Sequence, residues 1–299
     1  MSKKVLAIYY SQSGQLGQIV DNFCEPLTDA GFGVEKVQVK LKDDFAFPWT
    51  TKRFFSVMPD CVLGVPLELE PLELKESSYD LIVLGWQPWF LSPSIPFNSL
   101  MQNNQFKNIL KNTPVITLTG VRNMWVNAFE KVKPMLREAQ ANHVGTVALY
   151  DRHLNLVSIF TIFHWMLTGR KDKYLGFFPL PGVSNADIAN TKNFGALALP
   201  YLEKKNWAGL QEEFIKVKAV DPKYHLMFIE GKAGMMFKLW ARLISKKENK
   251  TFWLAAFKYY LLIALFIAAP LVYVINMLIF KPFLSKHIKN KKAILLKLN

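Results

Sequence analysis

The sequence predicts an α/β protein with a five-stranded parallel sheet and helices on both faces. An apolar insertion and a helical, membrane-associating C-terminal region complete the prediction. Three observations support it. Five short runs suited to buried strands are separated by helical or polar stretches, at 5–10, 33–40, 79–85, 114–120 and 144–150. A polar, glycine-containing loop follows the first run. Near the end of the chain, residues 259–280 carry no charge, which is long enough for a membrane helix.

The composition indicates an apolar surface beyond an ordinary core, since 51% of the 299 residues are hydrophobic and 14% are aromatic. The formal net charge of +14 is unevenly distributed, because residues 230–299 hold 13 of the 37 Lys and Arg residues but only two of the 23 acidic ones. Basic residues beside a long apolar run favour an anionic membrane surface as the partner, rather than nucleic acid.

The first strand, loop and helix predict a phosphate-binding site. Residues 5–10 form an apolar run, residues 11–14 form a short polar loop, and residues 16–30 repeat apolar side chains at helical spacing. Loop N–H groups and the positive end of a helix dipole would converge on one anionic group, to which Ser11 and Ser13 would add hydroxyl donors. The nucleotide triphosphatase loop is excluded, because Gly17 is not followed by Lys and then Ser or Thr.

The S-Q-S-G-Q-L segment resembles the FMN-phosphate loop of flavodoxins, S/T-x-T-G-x-T. Ser11, Ser13 and Gly14 match the pattern, whereas Leu16 replaces its last hydroxyl. The resemblance implies a flavodoxin-like fold over residues 1–205, FMN as cofactor, and phosphate contacts from Ser11, Gln12, Ser13, Gly14, Gln15 and Leu16. The alternative is an ordinary strand-turn-helix corner.

Two later loops match the flavin-contacting loops of flavodoxin-like proteins by position, since ligands bind at the carboxyl ends of the strands. The loop after the third strand contributes Trp86, Gln87, Pro88, Trp89 and Phe90, whose rings could stack on a flavin or could simply cover the end of the sheet or touch lipid. The loop after the fourth strand contributes Thr119, Gly120, Arg122 and Asn123. Arg122 and Asn123 are candidates to bond the flavin's pyrimidine edge or an anionic intermediate.

Residues 152–186 are interpreted as an insertion before the last helix of the sheet domain. Its apolar part, 154–167, is too short to span a bilayer, so it would form either a channel for a lipophilic substrate or a docking surface for the C-terminal segment or a partner subunit. His164, in this insertion, and His153, just after the fifth strand, are candidate bases, and a structural role is the alternative for each. The histidines show no ligand spacing, so no metal site is expected.

The C-terminal region divides into an amphipathic extension, 206–250, and a membrane anchor with a basic tail, 251–299. Positive residues flank the apolar run 259–280 on both sides and Pro270 interrupts it, so a single span and a re-entrant or in-plane anchor both remain open. Only six apolar residues precede the phosphate loop, too few for a signal peptide. We therefore expect the sheet domain at the cytoplasmic face of the inner membrane.

Taken together, the loop Y-Y-S-Q-S-G-Q-L, the flavodoxin-like body and the apolar basic tail resemble the bacterial dialkylresorcinol condensing enzymes of resorcinol and flexirubin pigment pathways. The resemblance implies an FMN-dependent aromatase that oxidises a lipophilic dialkyl cyclohexanedione supplied by a partner ketosynthase. Two alternatives remain: another membrane-bound flavodoxin-like oxidoreductase, of the quinone reductase or protoporphyrinogen oxidase type, or a non-catalytic membrane scaffold for the ketosynthase. The sequence leaves the oligomeric state open, a homo-oligomer included.

Overall fold

The computed structural model describes residues 3–275 and 285–298. Seven strands are present in this part of the chain: β1 Lys4–Tyr9, β2 Gly33–Gln38, β3 Leu81–Trp86, β4 Pro88–Trp89, β5 Ser92–Pro93, β6 Pro114–Val121 and β7 Asn142–Tyr150. The helices of the body are α1 Gln15–Asp29, α2 Thr51–Leu63, α3 Ile95–Gln102, α4 Asn104–Leu110, α5 Val126–Glu138, α6 Asn155–Thr168, α7 Asn185–Lys204 and α8 Leu210–Lys216. Beyond them lie α9 Tyr224–Ser245, α10 Lys250–Ile263, a π-helical turn Ala264–Ala268, α11 Ala269–Ile275 and α12 Ser285–Leu296.

Five strands form one parallel sheet in the order β2-β1-β3-β6-β7. Counted along the chain, this is the order 2-1-3-4-5 of the flavodoxin-like doubly wound fold. The predicted fold class is therefore confirmed, and all five strands lie where the sequence predicts them. The switch in strand order falls between β1 and β3, where doubly wound proteins bind their ligands at the carboxyl ends of the strands.

Helices cover both faces of the sheet. Neighbouring side chains along each strand point to opposite faces, so each strand contributes to two hydrophobic clusters. Val5 and Ala7 of β1 face one hydrophobic cluster, to which α1, α7 and α8 contribute. Leu6 and Ile8 face the other cluster, which is formed mainly with α3, α4 and α5. The near-continuous apolar sequence of the strands follows from burial on both faces.

The boundary predicted at residue 205 does not coincide with the end of the core. Leu210 and Phe214 of α8 are fully buried in the cluster beneath α1 and α7. Gly145 of β7 lies so close to the Phe214 ring that an added Cβ would come within 2.7 Å of it. The N–H of Ala148 also bonds the carbonyl of Ala219. These contacts extend the sheet domain to about residue 220.

The apolar C-terminal segment is helical throughout its described part. Lys250–Val272 has the length and composition of a helix able to cross a membrane, with a mean hydropathy of 1.9. Pro270 does not divide it into two half-length helices. Instead the π-helical turn Ala264–Ala268 precedes Pro270, whose ring would clash with the carbonyl four residues earlier in a regular helix. The end of the apolar run, 276–280, lies outside the described residues.

Helix α7 packs against α1 at Gly195. A Cβ atom at this position would lie 2.0 Å from the Phe23 carbonyl oxygen. We expect Gly195→Ala to separate the two helices and lower the free energy of unfolding by about 2–3 kcal/mol, as overpacking against backbone does. Urea unfolding of the detergent-solubilised protein measures this change in the free energy of unfolding.

The matched control is Gly231→Ala in α9, where nothing lies within 4 Å of an added Cβ. There we expect a gain of about 0.5–1 kcal/mol, and equal losses for both variants would contradict the packing argument.

Candidate functional site

A cavity of about 460 Å³ lies at the carboxyl edge of the sheet. Its floor comes from the loops after β1, β3 and β6, one wall from α6, and its cover from α9, α10, the π-helical turn and α11. We call this cover, residues 224–275, the C-terminal cover. A wider and more open hollow of about 930 Å³ lies beside the start of β7, lined in part by Lys205 and Leu298. That hollow is at the amino ends of the strands, so the cavity at the carboxyl edge is the candidate site.

The phosphate loop has the geometry of an anion cradle. Gly14 is the N-cap of α1 with φ +82°, a left-handed conformation that favours glycine, and an added Cβ there would meet no atom within 4 Å. Ser11 Oγ accepts a hydrogen bond from the Gly17 N–H at 3.1 Å, which fixes the loop to the first helical turn and leaves the Ser11 hydroxyl hydrogen free to donate. Ser13 is exposed beside this helix terminus. The loop therefore presents donors to an anion at the positive end of α1.

The side chains of Gln15 and Leu16 are committed to other contacts. Gln15 exchanges two hydrogen bonds with the backbone of Val183, at 3.1 and 3.2 Å, and so ties the loop to the end of the insertion. Leu16 is buried in the core beneath the sheet face. The Leu16 side chain thus has a packing role.

Two donors in the cavity wall lack partners within the described residues. Gln12 and Trp49 both line the cavity, and the Gln12 Nε2 and Trp49 Nε1 atoms are buried without a hydrogen bond. Unpaired buried donors are costly, so they indicate that a ligand with acceptor atoms completes the site.

The loop after β3 is a strained hairpin. Strands β4 and β5 pair around Phe90 and Leu91, which have φ values of +50° and +57°. Two consecutive positive φ angles define a type I′ turn, for which Asn and Gly are preferred over bulky residues. Strain of this kind persists only where surrounding contacts enforce it and is concentrated at functional sites. We call residues 88–93 the aromatic hairpin.

Neighbouring elements hold the aromatic hairpin in place. Asn127 Nδ2 donates to the Leu91 carbonyl at 2.7 Å, and Lys131 Nζ donates to Ser92 Oγ at 2.7 Å. Trp89 packs edge-to-face against Phe45 and Trp49, with ring centroids 5.0 Å apart in both pairs. Gln87, Pro88, Trp89 and Phe90 consequently line the cavity, as predicted for the flavin-contacting loop.

Trp86 lies elsewhere. It is 1% exposed and stacks on Phe129 in the core, with ring centroids 6.0 Å apart, so it does not line the cavity. Its position as the last residue of β3 directs the side chain beneath the sheet rather than over its edge. Thr119 is likewise fully buried within β6, whereas Gly120 lines the cavity.

Arg122 is a half-buried positive charge in the cavity wall. Its Nη1 donates to the Asn155 carbonyl, to Asn155 Oδ1 and to Ser158 Oγ, at 3.1, 2.7 and 3.0 Å. These acceptors belong to α6, so the insertion orients the guanidinium. Burial lowers the pKa of Arg122 to about 10, yet the group remains protonated at neutral pH. No carboxylate of the described residues forms an ion pair with it, which favours an anionic or electron-rich ligand oxygen.

Asn123 does not face the cavity. Its Nδ2 donates to Asn155 Oδ1 at 2.9 Å, the atom that Arg122 also contacts. Asn123 therefore orients the Arg122 acceptor, and the direct flavin contact predicted for it is not supported by its position.

Both candidate histidine bases point away from the cavity. His153 Nδ1 contacts Asp151 Oδ1 at 2.6 Å, and the other Asp151 oxygen accepts from the Gly182 N–H at 3.2 Å. His164 Nε2 contacts Asp172 Oδ1 at 2.6 Å, and its ring lies against Tyr174. Ile159, Ile162, Phe163 and Met166 of the same helix line the cavity instead. Neither His153 nor His164 lines the cavity, so their positions do not support the catalytic roles predicted for them. Within residues 3–275 and 285–298 no cluster of metal-ligating side chains occurs.

Glu230, which the sequence reasoning missed, does not line the cavity but holds the start of α5 beside it. This residue of α9 is 1% exposed, and its Oε1 accepts from the Asn127 N–H at 2.7 Å in the first turn of α5. Its other oxygen, Oε2, is buried without a partner in the described part of the chain. Burial raises the pKa of Glu230 to about 8, although the Asn127 and Val126 N–H groups and Arg122 oppose the shift. A single acidic residue within the largely apolar helix α9 was the available signal, but the helix that it caps lies 103 residues away in the chain.

No protein-family model and no curated protein sequence matches this chain. Solved structures do match it. A flavoprotein from Lactobacillus acidophilus NCFM in complex with FMN is 20% identical over 49% of this chain and 93% of its own, with a TM-score of 0.40. A flavodoxin from the domain Archaea is 10% identical over 67% and 99%, with a TM-score of 0.37. A flavone reductase is 12% identical over 69% and 65%, with a TM-score of 0.38. These TM-scores are low, and the fold assignment rests on the strand order and register of the sheet.

The raised pKa of Glu230 predicts a pH-dependent stability. Between its ordinary value of 4.5 and about 8, the folded protein holds a proton that the unfolded chain releases. The contribution of Glu230 to stability is therefore lost as the pH rises through this window, by up to about 1.4 kcal/mol per pH unit. In Glu230→Gln the amide oxygen can still accept from the Asn127 N–H, but no proton is bound or released. We therefore expect the free energy of unfolding of Glu230→Gln, relative to that of the wild type, to increase as the pH rises from 5 to 8.

Urea unfolding of both proteins at three pH values in this window measures the difference. Glu212→Gln on α8 is the matched control, since it removes an exposed carboxyl group. A stability difference between Glu230→Gln and the wild type that stays constant with pH would contradict the prediction.

Proposed function

We propose that the protein is an FMN-dependent oxidoreductase acting on a lipophilic substrate. The observation that carries the proposal is one continuous cavity that combines an open anion cradle at the start of α1, unpaired donors on Gln12 and Trp49, and the half-buried cation of Arg122. These features supply a phosphate site, hydrogen-bond donors for a polar ring system and a charge for an oxygen anion.

The residues of the cavity fit FMN. Ser11, Ser13 and the N–H groups at the start of α1 would hold the phosphate, and Gln12 would donate to an acceptor atom of the cofactor. The aromatic hairpin and the loop at Gly120 would enclose the ring. Bound FMN supplies a two-electron oxidant at this position.

We propose that the substrate is a dialkyl cyclohexanedione and the product a dialkylresorcinol. Aromatisation removes one hydride and one proton from the ring. Arg122, held by Asn155 and Ser158, would bind the enolate oxygen and so favour loss of the ring proton. Ile159, Ile162, Phe163 and Met166 would contact the alkyl chains and exclude water. A ketosynthase at the cytoplasmic face of the membrane is the proposed source of this substrate, and the basic apolar C-terminal region is the proposed attachment.

Cofactor binding provides a first test. We expect the detergent-purified protein to bind FMN near one to one. Because the Ser13 hydroxyl would donate to a charged phosphate, Ser13→Ala should weaken FMN binding about 10–100-fold. The change is measured by titration of the flavin absorbance. Ser245→Ala, whose hydroxyl bonds only the Arg242 carbonyl at the end of α9, is the control and should leave affinity unchanged. Failure of the wild type to bind flavin would favour the non-catalytic scaffold alternative.

Substrate oxidation provides a second test. We expect anaerobic addition of a dialkyl cyclohexanedione to the FMN-loaded protein to bleach the flavin and yield one equivalent of resorcinol, detected by mass spectrometry. Arg122→Met should lower the rate by about 100-fold or more if its charge stabilises the enolate. The aromatase proposal would be overturned if the purified protein left the dione unchanged while an extract containing the ketosynthase converted it. Bleaching by a reduced nicotinamide followed by reoxidation with quinones, together with no reaction of the dione, would favour the quinone reductase alternative.

A further inference from the structure

The insertion exposes an unusual number of large apolar side chains. Leu175 and Phe177, in the turn that follows α6, are 66% and 73% exposed. On α6 itself Leu156, Phe160 and Leu167 are exposed, while the opposite face of the helix lines the cavity. The insertion therefore presents one apolar face to the cavity and another to the surroundings.

The apolar C-terminal segment is also two-faced. Phe257 and Leu261 of α10 are buried against Met58 of α2 and Ala241 of α9. Its opposite face exposes Tyr259, Ile263, Ile267 and Leu271, with Ile267 65% exposed. The segment thus lies along the folded body over its whole described length instead of projecting from it.

The two exposed apolar surfaces are continuous. Phe160 of α6 and Phe266 of the π-helical turn are both exposed, and their ring centroids lie 5.5 Å apart. We call the joined surface the apolar face; its exposed members are Leu156, Phe160, Leu167, Leu175, Phe177, Leu180, Tyr259, Leu262, Ile263, Phe266, Ile267 and Leu271. Contiguous apolar surfaces of this extent mark interaction sites rather than ordinary exposure.

Basic residues border the apolar face. Arg170, Lys171 and Lys173 follow α6, where Asp172 pairs with Arg170 and offsets its charge. Lys246, Lys247 and Lys250 join α9 to α10. In that second connection Glu248 is the one acidic residue. Apolar side chains flanked by Lys and Arg complement a bilayer containing anionic lipids, whose headgroups attract the cations while the apolar residues enter the acyl region.

The cavity opens onto this same side. Five cavity-lining residues are exposed: Ser13 of the phosphate loop, and Lys232, Met236, Ala268 and Val272 of the C-terminal cover. Ala268 follows Ile267 in the chain, and Val272 follows Leu271, and both preceding residues belong to the apolar face. The cavity therefore has a polar opening at the phosphate loop and an apolar opening in the C-terminal cover.

We propose that the apolar face lies within one leaflet of an anionic membrane, parallel to its plane, and that the opening at Ala268 and Val272 admits alkyl-chain ligands directly from that leaflet. The alkyl ligand as substrate rests on the proposed function, whereas the placement in the membrane does not. A segment of 23 residues would be about 34 Å long and could cross the hydrocarbon core. Its inner face, however, packs through Phe257 and Leu261 on α2 and α9, which favours the in-plane arrangement.

Depth measurements test the placement. Nitroxide labels are attached to Ile267→Cys and Phe177→Cys, and the labelled proteins are bound to phosphatidylcholine vesicles that contain phosphatidylglycerol. Electron paramagnetic resonance with oxygen and a polar nickel complex as relaxants then gives the depth of each label. The native Cys24 and Cys61 are buried with raised thiol pKa values and should remain unlabelled. We expect both labels about 5–10 Å within the same leaflet. Ile215→Cys on α8, an exposed apolar control, should stay in water.

Two outcomes would overturn the placement. One is Ile267 at the bilayer midplane with Phe177 in water, which is the pattern of a spanning helix. The other is both labels in water.

A matched pair of variants tests the opening. Ala268→Trp places a large ring in the apolar opening, whereas Ala255→Trp makes the same change at an exposed position of the segment that does not line the cavity. The probe is 11-(dansylamino)undecanoic acid, whose emission shifts to the blue in apolar surroundings. We expect Ala268→Trp to weaken probe binding at least about tenfold, the effect of excluding roughly two methylene groups, and Ala255→Trp to leave it unchanged.

Equal probe affinity in Ala268→Trp and the wild type would overturn the opening. Vesicle binding is measured on both variants and is expected to match the wild type, and Ala255→Trp should also retain the FMN content of the wild type. Absence of FMN from every variant, with the label depths as expected, would count against the proposed function and not against the membrane placement.

Discussion

The contact between Glu230 and the first turn of α5 is the interaction on which the cavity depends. Its carboxyl oxygen binds the Asn127 N–H, and the Asn127 side chain in turn binds the Leu91 carbonyl of the aromatic hairpin. One side chain of the C-terminal cover therefore fixes the start of α5 and, through it, the strained turn that forms the cavity floor. A carboxyl group at a helix N-terminus is favourable, but its burial is costly, and the raised pKa of Glu230 expresses that balance.

The loop after β6 is fixed in a similar way from the opposite side. Asn155 at the start of α6 accepts from both Arg122 and Asn123, and Ser158 adds a third acceptor for the guanidinium. The insertion thus orients the loop after β6, and the C-terminal cover orients the aromatic hairpin, so each element shapes a different loop of the same site. Both elements also supply apolar surface to the outside, so the polar contacts that shape the cavity and the apolar contacts that we assign to a membrane belong to the same helices.

This arrangement gives the cavity two chemical environments. The phosphate loop offers an exposed helix terminus and hydroxyl groups, whereas the far wall consists of apolar side chains from α6 and the cover. An amphipathic reaction system, with a charged cofactor and an alkylated substrate, matches such a gradient. Arg122 lines the same cavity, and in the proposed reaction its positive charge would act on an oxygen of the substrate ring.

The sequence by itself determined the sheet, the phosphate loop and the apolar C-terminal segment, because strand burial, the turn at Gly14 and helix length are local properties. It did not determine which side chains reach the cavity. Trp86, His153 and His164 lie in the predicted segments but point to the core or to nearby carboxylates, while Glu230 acts across 103 residues of chain. Side-chain direction at a strand end and long-range capping depend on packing between distant elements, so only the tertiary structure decided them.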